Sequence, residues 1–172
     1  MKPDVGGGRP GSRRARGAAL LAIWAMLTCS SAWAVNTCTV AAQPHSFNPY
    51  DTVNAATGTS PITVTCSHSD GTPVTFAYVI ALSSGPGSYA ARQMTGTGDT
   101  LTYNLYTTAA RATVWGDGSG TTGTVADSFK VPGGAGRSGS QTQTVYGLIP
   151  AAQNVTPGAY AIANEITVAV TY

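Results

Sequence analysis

Three stretches of this chain match the spacing Gly-x-Gly-x-x-Gly, which binds dinucleotide phosphates when it joins a strand to a helix. They begin at Gly6, Gly118 and Gly134. In a dinucleotide site the glycines let the backbone approach pyrophosphate at the N-terminus of the following helix. No segment with a helical period follows any of the three matches. We therefore attribute them to a composition with 21 glycines in 172 residues, and the sequence predicts no cofactor.

Side chains that could bind metal or carry out catalysis are few and scattered. The sequence contains two histidines, His45 and His68, whereas a zinc site needs three or four ligands. Asp117 stands alone in Gly-Asp-Gly-Ser, where a calcium loop would need several oxygen ligands at alternate positions, so we interpret it as a turn residue. The nucleophile elbow Gly-x-Ser-x-Gly is absent from the sequence. We predict neither a metal site nor an enzyme.

The first 34 residues have the three features of a secretory signal peptide. Arginines at 13–16 precede an apolar run over residues 18–27, and Ala-Trp-Ala at 32–34 offers a cleavage site. The run is too short to span a bilayer as a helix, which takes about 20 residues. A lipoprotein signal at Cys29 is an alternative, but the residues before it fit that signal poorly. Cleavage after residue 34 would leave residues 35–172 as one domain.

Export also decides how the cysteines are interpreted. Cys29 is removed with the signal peptide, and Cys38 and Cys66 remain. Two cysteines in an exported chain predict one disulfide, with two free thiols as the alternative. In the chain-entropy model, closing a loop of this length is worth about 3–4 kcal/mol.

Charge excludes several classes of partner. Residues 35–172 contain four basic and six acidic side chains, a net charge of −2. The basic residues are too scattered to form a patch, so we predict neither nucleic acid nor an anionic membrane surface as a partner. A chain with only 9% charged residues, rich in Thr, Gly and Val, also lacks the composition of a coiled coil or helical bundle.

Alternation of apolar and polar residues recurs along residues 35–172 and is typical of half-buried β-strands. No stretch keeps a helical period for three turns. We therefore predict an all-β fold, a sandwich of two antiparallel sheets. Residues 83–98, 116–123 and 132–139 are rich in glycine and predict loops. The predicted strands carry the stripes Ile62-Val64-Cys66, Val74-Phe76-Tyr78-Ile80-Leu82, Leu101-Tyr103-Leu105 and Ile166-Val168-Val170-Tyr172, and a further strand is expected at 141–149.

Short motifs in a fixed order make the chain resemble the spore coat protein U domain, which is also the pilin of archaic, Csu-type chaperone–usher pili. The most specific are Ser-Phe-Asn-Pro-Tyr-Asp at 46–51, Val-Trp-Gly-Asp-Gly at 114–118 and Pro-Gly-Ala-Tyr at 157–160. His45 departs from the pattern, because a small apolar residue is usual there. The remaining matches lie at 38–40, 62–66, 92–94, 101–106, 110–111, 144–155 and 166–172.

The resemblance implies an immunoglobulin-like sandwich with a Cys38–Cys66 bridge that lacks its last strand and borrows one from a neighbouring subunit. It also implies a periplasmic chaperone, an outer-membrane usher and other pilus subunits as partners, and passage through the periplasm to the cell surface. The stripe at residues 166–172 would then be the strand-acceptor edge. An open edge beside an apolar groove is an aggregation hazard unless another chain adds a strand.

The resulting hypothesis is a structural subunit of a surface fibre that acts in adhesion and biofilm formation. One alternative is a binding module that holds sugar or a surface through exposed aromatic side chains, with Trp115 and Tyr89 as the candidates. A coat protein of a spore or resting cell is another. Cleavage after residue 34 would leave three residues before Cys38, too few for a donor strand, so we expect this chain to accept a strand but not to donate one.

Overall fold

The computed structural model describes residues 35–69, 71–96, 98–134, 136–162 and 166–172. The predicted signal peptide, residues 1–34, lies outside the described residues and stays a prediction. Within the described ranges the chain forms the strands β1 Thr37–Ala42, β2 Ala56–His68, β3 Val74–Leu82, β4 Arg92–Thr95, β5 Thr100–Tyr106, β6 Val125–Val131, β7 Arg137–Ile149 and β8 Val168–Thr171.

These strands form two sheets that pack as a sandwich. One sheet has the order β1-β2-β7-β5-β4 and the other the order β6-β3-β8. Each of these pairings is antiparallel. The prediction of an all-β, immunoglobulin-like sandwich of antiparallel sheets is confirmed.

The period-two stripes seen in the sequence face the core. Their side chains are almost completely buried, apart from Val74 and the residues of the last strand, which are half-buried or exposed. Burying each such side chain contributes about 1.5–3 kcal/mol to folding. The buried core residues on the stripes are Ile62, Val64, Cys66, Phe76, Tyr78, Ile80, Leu82, Leu101, Tyr103 and Leu105.

Two predicted loops contain strands instead. Residues 83–98 include β4, where Arg92 lies opposite Tyr103 of β5. Residues 132–139 overlap β7, which begins at Arg137. Glycines made both stretches look irregular, but hydrogen bonds to a neighbouring strand override local preference. The loop at 116–123 is confirmed, and its base is closed by a bridge between Trp115 and Gly123.

Candidate strand-acceptor cleft

The last strand leaves one side of the sandwich open. β8 is the outermost strand of its sheet and pairs with β3 in a register from Val79–Thr171 to Leu82–Val168. Among the described residues, no strand pairs with its other side. β1, at the edge of the five-stranded sheet, comes within 8 Å of β8 between Cα atoms without pairing with it. The unpaired edge of β8 therefore faces the gap between the two sheets.

Side chains of the last strand alternate across this edge. Ile166, Val168 and Val170 are half-buried and pack against the core, whereas the residues between them are exposed. Tyr172 continues the alternation but lies beyond the end of β8, with 57% of its surface exposed. The open edge therefore combines free backbone groups with an apolar stripe, the two features to which an added strand binds.

An apolar cleft of about 540 Å³ opens beside the edge. Ile166 and Val168 line it together with side chains from both sheets. The cleft is continuous with the hydrophobic core, so a side chain that entered it would leave water for an apolar environment. The strand residues that contribute are Ile62, Leu82, Leu105 and Val145.

The segment 43–48 forms part of the cleft wall and rests on two glycines. Gly58 of β2 and Gly147 of β7 lie directly opposite each other. A Cβ atom on Gly147 would overlap Nε2 of His45 and lie 2.6 Å from Cε1 of Phe47, and one on Gly58 would overlap the backbone of Ser46. The absence of side chains at both positions therefore lets the His45 and Phe47 rings pack directly on the sheet.

Polar side chains line the cleft next to these rings. Nδ1 of His45 and Oγ of Ser60 are 2.9 Å apart and share a hydrogen bond. Burial lowers the pKa of His45, so its ring is neutral at neutral pH. Phe47 packs edge-on against Tyr103, with ring centroids 5.6 Å apart. No sequence pattern marked Ser60 or Tyr103 as a site residue, because both occupy ordinary inward positions of a strand.

A second cleft, of about 640 Å³, lies between residues 45–52 and 155–160. It shares His45, Phe47, Met94 and Tyr160 with the first cleft, so the two are contiguous. Its walls therefore belong to the same open side of the sandwich.

Side-chain hydrogen bonds fix the irregular segment 150–160 that borders this second cleft. The Gln153 side chain continues the β-ladder after β7 ends: its Oε1 accepts from the Thr102 amide and its Nε2 donates to the Thr102 carbonyl, both at 2.8 Å. The Tyr50 hydroxyl accepts from the Gln153 amide at 2.7 Å. These contacts explain why the motifs at 46–51 and 149–160 occur together.

A carboxylate holds the far end of the same segment. Asp99 accepts hydrogen bonds from the amide and hydroxyl of Thr156, which lower the pKa of Asp99. The Tyr160 hydroxyl donates to the Thr156 carbonyl at 2.7 Å. Residues 156–160 are therefore tied to the turn before β5 and keep Tyr160 in the cleft wall.

The disulfide that the sequence predicts is present. Cys38 and Cys66 are bonded and lie directly opposite each other in the β1–β2 pair. The bond ties β1, the strand on the far side of the open gap, to β2, its neighbour in the sheet. Its position therefore supports the rim of the cleft as well as the fold.

The aromatic residues proposed as a binding surface are not exposed, and that prediction is wrong for Trp115. Trp115 is 0% exposed, and its Nε1 donates to the Ile80 carbonyl at 3.0 Å. Tyr89 is half-buried, and its hydroxyl donates to the Leu82 carbonyl at 3.1 Å. Neighbouring glycines suggested an exposed turn, but the chain folds back there and places the indole in the core.

A buried arginine holds the loops around Trp115 together. Arg92 is 0% exposed and donates to Asn104 Oδ1 at 2.6 Å, the Trp115 carbonyl at 2.7 Å and the Ser83 carbonyl at 2.9 Å. Its guanidinium also lies 5.4 Å from the centre of the Tyr89 ring. Burial lowers its pKa. The sequence offered one signal for this role, the family motif at 92–94.

The residues first considered for chemistry have structural partners. The Asp117 carboxylate accepts from the Ser119 amide at 2.9 Å and closes a turn. His68 is buried, and its Nε2 lies 3.0 Å from the Pro132 carbonyl. In the described ranges, no three His, Cys, Asp or Glu side chains are grouped as metal ligands. No helix in that part of the chain is long and apolar enough to cross a bilayer.

The structure is thus an antiparallel β-sandwich whose first strand is tied by a disulfide and whose last strand lies at a sheet edge. The family model of the Spore Coat Protein U domain matches residues 23–168. No curated protein sequence matches the chain. The chain belongs to the spore coat protein U domain family, which consists of structural coat and pilus proteins.

Proposed function

We propose that this protein is a structural subunit of a secreted surface fibre of the chaperone–usher type, which takes part in adhesion and biofilm formation. One observation supports the proposal above all: the unpaired edge of β8 runs beside an apolar cleft. Family membership supports a structural role in general, and the open edge supports strand acceptance in particular.

A donor strand from a neighbouring subunit would add to β8 by main-chain hydrogen bonds, and its alternate side chains would enter the cleft. Three inserted apolar side chains would contribute on the order of 5–9 kcal/mol before the cost of ordering the strand. A strand between β8 and β1 needs about 9–10 Å between its two neighbours, so β1, which comes within 8 Å of β8, would move away as the added strand completes the sandwich. This free energy is gained only when the donor strand is inserted. The domain would therefore be exported without that strand and completed on assembly.

The remaining partners follow from the same edge. Before a neighbouring subunit arrives, the open edge needs protection from aggregation, which a periplasmic chaperone would provide by adding its own strand. At an outer-membrane usher, the strand of the neighbouring subunit would then replace the strand of the chaperone. Residues 1–34 would direct export, and the mature chain would pass through the periplasm to the cell surface.

A thermal shift with a donor peptide tests the proposal. At a peptide concentration of 100 Kd, binding to the native state alone adds about 2.7 kcal/mol. This corresponds to a rise in Tm of roughly 8–10 °C for residues 35–172. The peptide alternates Val or Ile with Thr or Ser, and a peptide of the same composition with its apolar residues grouped together is the control.

Two substitutions on β8 identify the binding edge. Val168→Asp places a charge in the cleft and should abolish the shift, whereas Ala169→Asp, on the exposed face of the same strand, should preserve it. An unchanged Tm with saturating alternating peptide would refute strand acceptance.

A further inference from the structure

Two hydroxyl-bearing side chains lie among the apolar walls of the acceptor cleft. Ser60 and Tyr103 face inward from β2 and β5 and line the cleft beside His45. Both are almost fully buried, at 5% and 1% exposure. An entering strand with apolar side chains alone would offer neither hydroxyl group a new hydrogen-bond partner.

The Tyr103 hydroxyl has no hydrogen-bond partner. A buried polar group left in this state costs about 1–3 kcal/mol. Burial raises the pKa of Tyr103, so the group is a neutral O–H that can donate as well as accept. The Arg92 guanidinium, opposite Tyr103 in the β4–β5 register, donates through its two terminal nitrogens to other oxygens, and its buried Nε has no partner either.

The neighbouring polar groups have their own partners or are closed off. Ser60 Oγ is bonded to His45 Nδ1. His45 Nε2 is also without a partner, but it lies against Gly147 and Gly58, on the side of the ring that rests on the sheet. Tyr160, which lines the same cleft, donates its hydroxyl to the Thr156 carbonyl. Tyr103 is thus the cleft residue whose hydroxyl is left for a partner.

We propose, on the basis of the strand-acceptor function, that the donor strand carries one hydroxyl or small amide side chain among its inward apolar residues, and that this side chain hydrogen-bonds to Tyr103. In the empty cleft the hydroxyl is closed off from solvent. The donor side chain therefore reaches the hydroxyl only after a neighbouring side chain moves, and we expect this to be Phe47, which packs against Tyr103 and lines the same cleft. Tyr103 then selects partners by chemistry as well as shape.

A peptide scan tests this specificity. The parent peptide has Val at every inward position, and each derivative replaces one Val by Thr, which has nearly the same shape. We expect Thr to strengthen binding about 5- to 10-fold at one inward position and to weaken it at the others. A tenfold change corresponds to 1.4 kcal/mol.

Protein variants then assign the preference to Tyr103. Tyr103→Phe should bind the Val peptide at least as tightly as the wild type and should lose the preference for Thr. Tyr160→Phe removes a hydroxyl that already has a partner in the same cleft, and should keep the preference. This pair of variants separates a hydrogen bond from a general effect of polarity.

The outcomes distinguish this inference from the proposed function. Tight binding in which Val is preferred at every inward position would refute the polar contact and leave strand acceptance standing. A Thr preference that survives in Tyr103→Phe would assign the contact to another residue and refute the role of Tyr103. If none of the peptides bound the wild type, strand acceptance itself would fail, and this inference with it.

Discussion

Replacing Gly147 by alanine should destabilise the domain and distort the wall of the cleft. The new methyl group would overlap Nε2 of His45 and lie 2.6 Å from Cε1 of Phe47. Atoms of two packed rings cannot remain that close, so the segment 43–48 must move away from β7. The perturbation therefore acts on the fold and on the acceptor cleft through the same contact.

The expected magnitude can be worked from three contributions. Overpacking of this kind costs about 1–3 kcal/mol. Moving His45 also breaks its hydrogen bond to Ser60, which is worth about 0.5–1.5 kcal/mol. Alanine also lowers the conformational entropy of the unfolded chain, and this offsets the loss of stability by about 0.4–1 kcal/mol. We expect a net loss of about 2 kcal/mol.

Urea unfolding and thermal melting of residues 35–172 measure the effect. A loss of 2 kcal/mol should lower Tm by roughly 6–8 °C. Gly158→Ala is the control, because a Cβ there meets nothing within 4 Å, and it should leave the free energy of unfolding within about 0.5–1 kcal/mol of the wild type.

A double variant identifies the contact. His45→Ala removes the ring nearest to the new methyl group, so its combination with Gly147→Ala should be at least 1 kcal/mol more stable than the sum of the single changes predicts. If Gly147→Ala were as stable as the wild type, or if the two changes were additive, the packing of these rings on the glycine pair would not be the constraint we describe.

Three further substitutions test other parts of the structure. Arg92→Met should lower the free energy of unfolding in urea by about 3 kcal/mol or more, because it leaves the Trp115 and Ser83 carbonyls without a donor and Asn104 Oδ1 with the Leu105 amide alone; an effect below 1 kcal/mol would contradict this. Burial lowers the pKa of His45 below 6.5, so the unfolded state binds more protons, and stability should fall as pH drops below about 6.5. His45→Gln should reduce the change in the free energy of unfolding between pH 7.5 and 5.5. If the variant and the wild type showed the same change, His45 would not be its source. Cys38→Ser with Cys66→Ser should lose about 3–4 kcal/mol, since the bond closes a separation of 28 residues; unchanged urea midpoints would argue against it.

The motifs that identify the family are explained by contacts that the sequence did not show. Tyr50 and Gln153 belong to different motifs and are joined by a hydrogen bond. Arg92 and Trp115 likewise meet across two loops. Neither motif of a pair indicates its partner, because the two lie far apart in the chain.

The sequence by itself determined five of the eight strands, the inward faces of four of them and the disulfide, but not β1, β4 or β6. These properties are local: alternation with a period of two places Ile62, Val64 and Cys66 on one face of any strand they form, and two cysteines in an exported chain leave one obvious pair. The resemblance to the family adds the expectation of a strand-acceptor edge at residues 166–172.

Only the tertiary structure decided what the cleft contains. The register of β2 against β7 brings Gly58 opposite Gly147, and that pair admits the His45 and Phe47 rings. The fold also buries Trp115 and leaves the Tyr103 hydroxyl without a partner. None of this follows from periodicity, because burial and hydrogen bonding at these positions depend on which distant residues the sheets bring together.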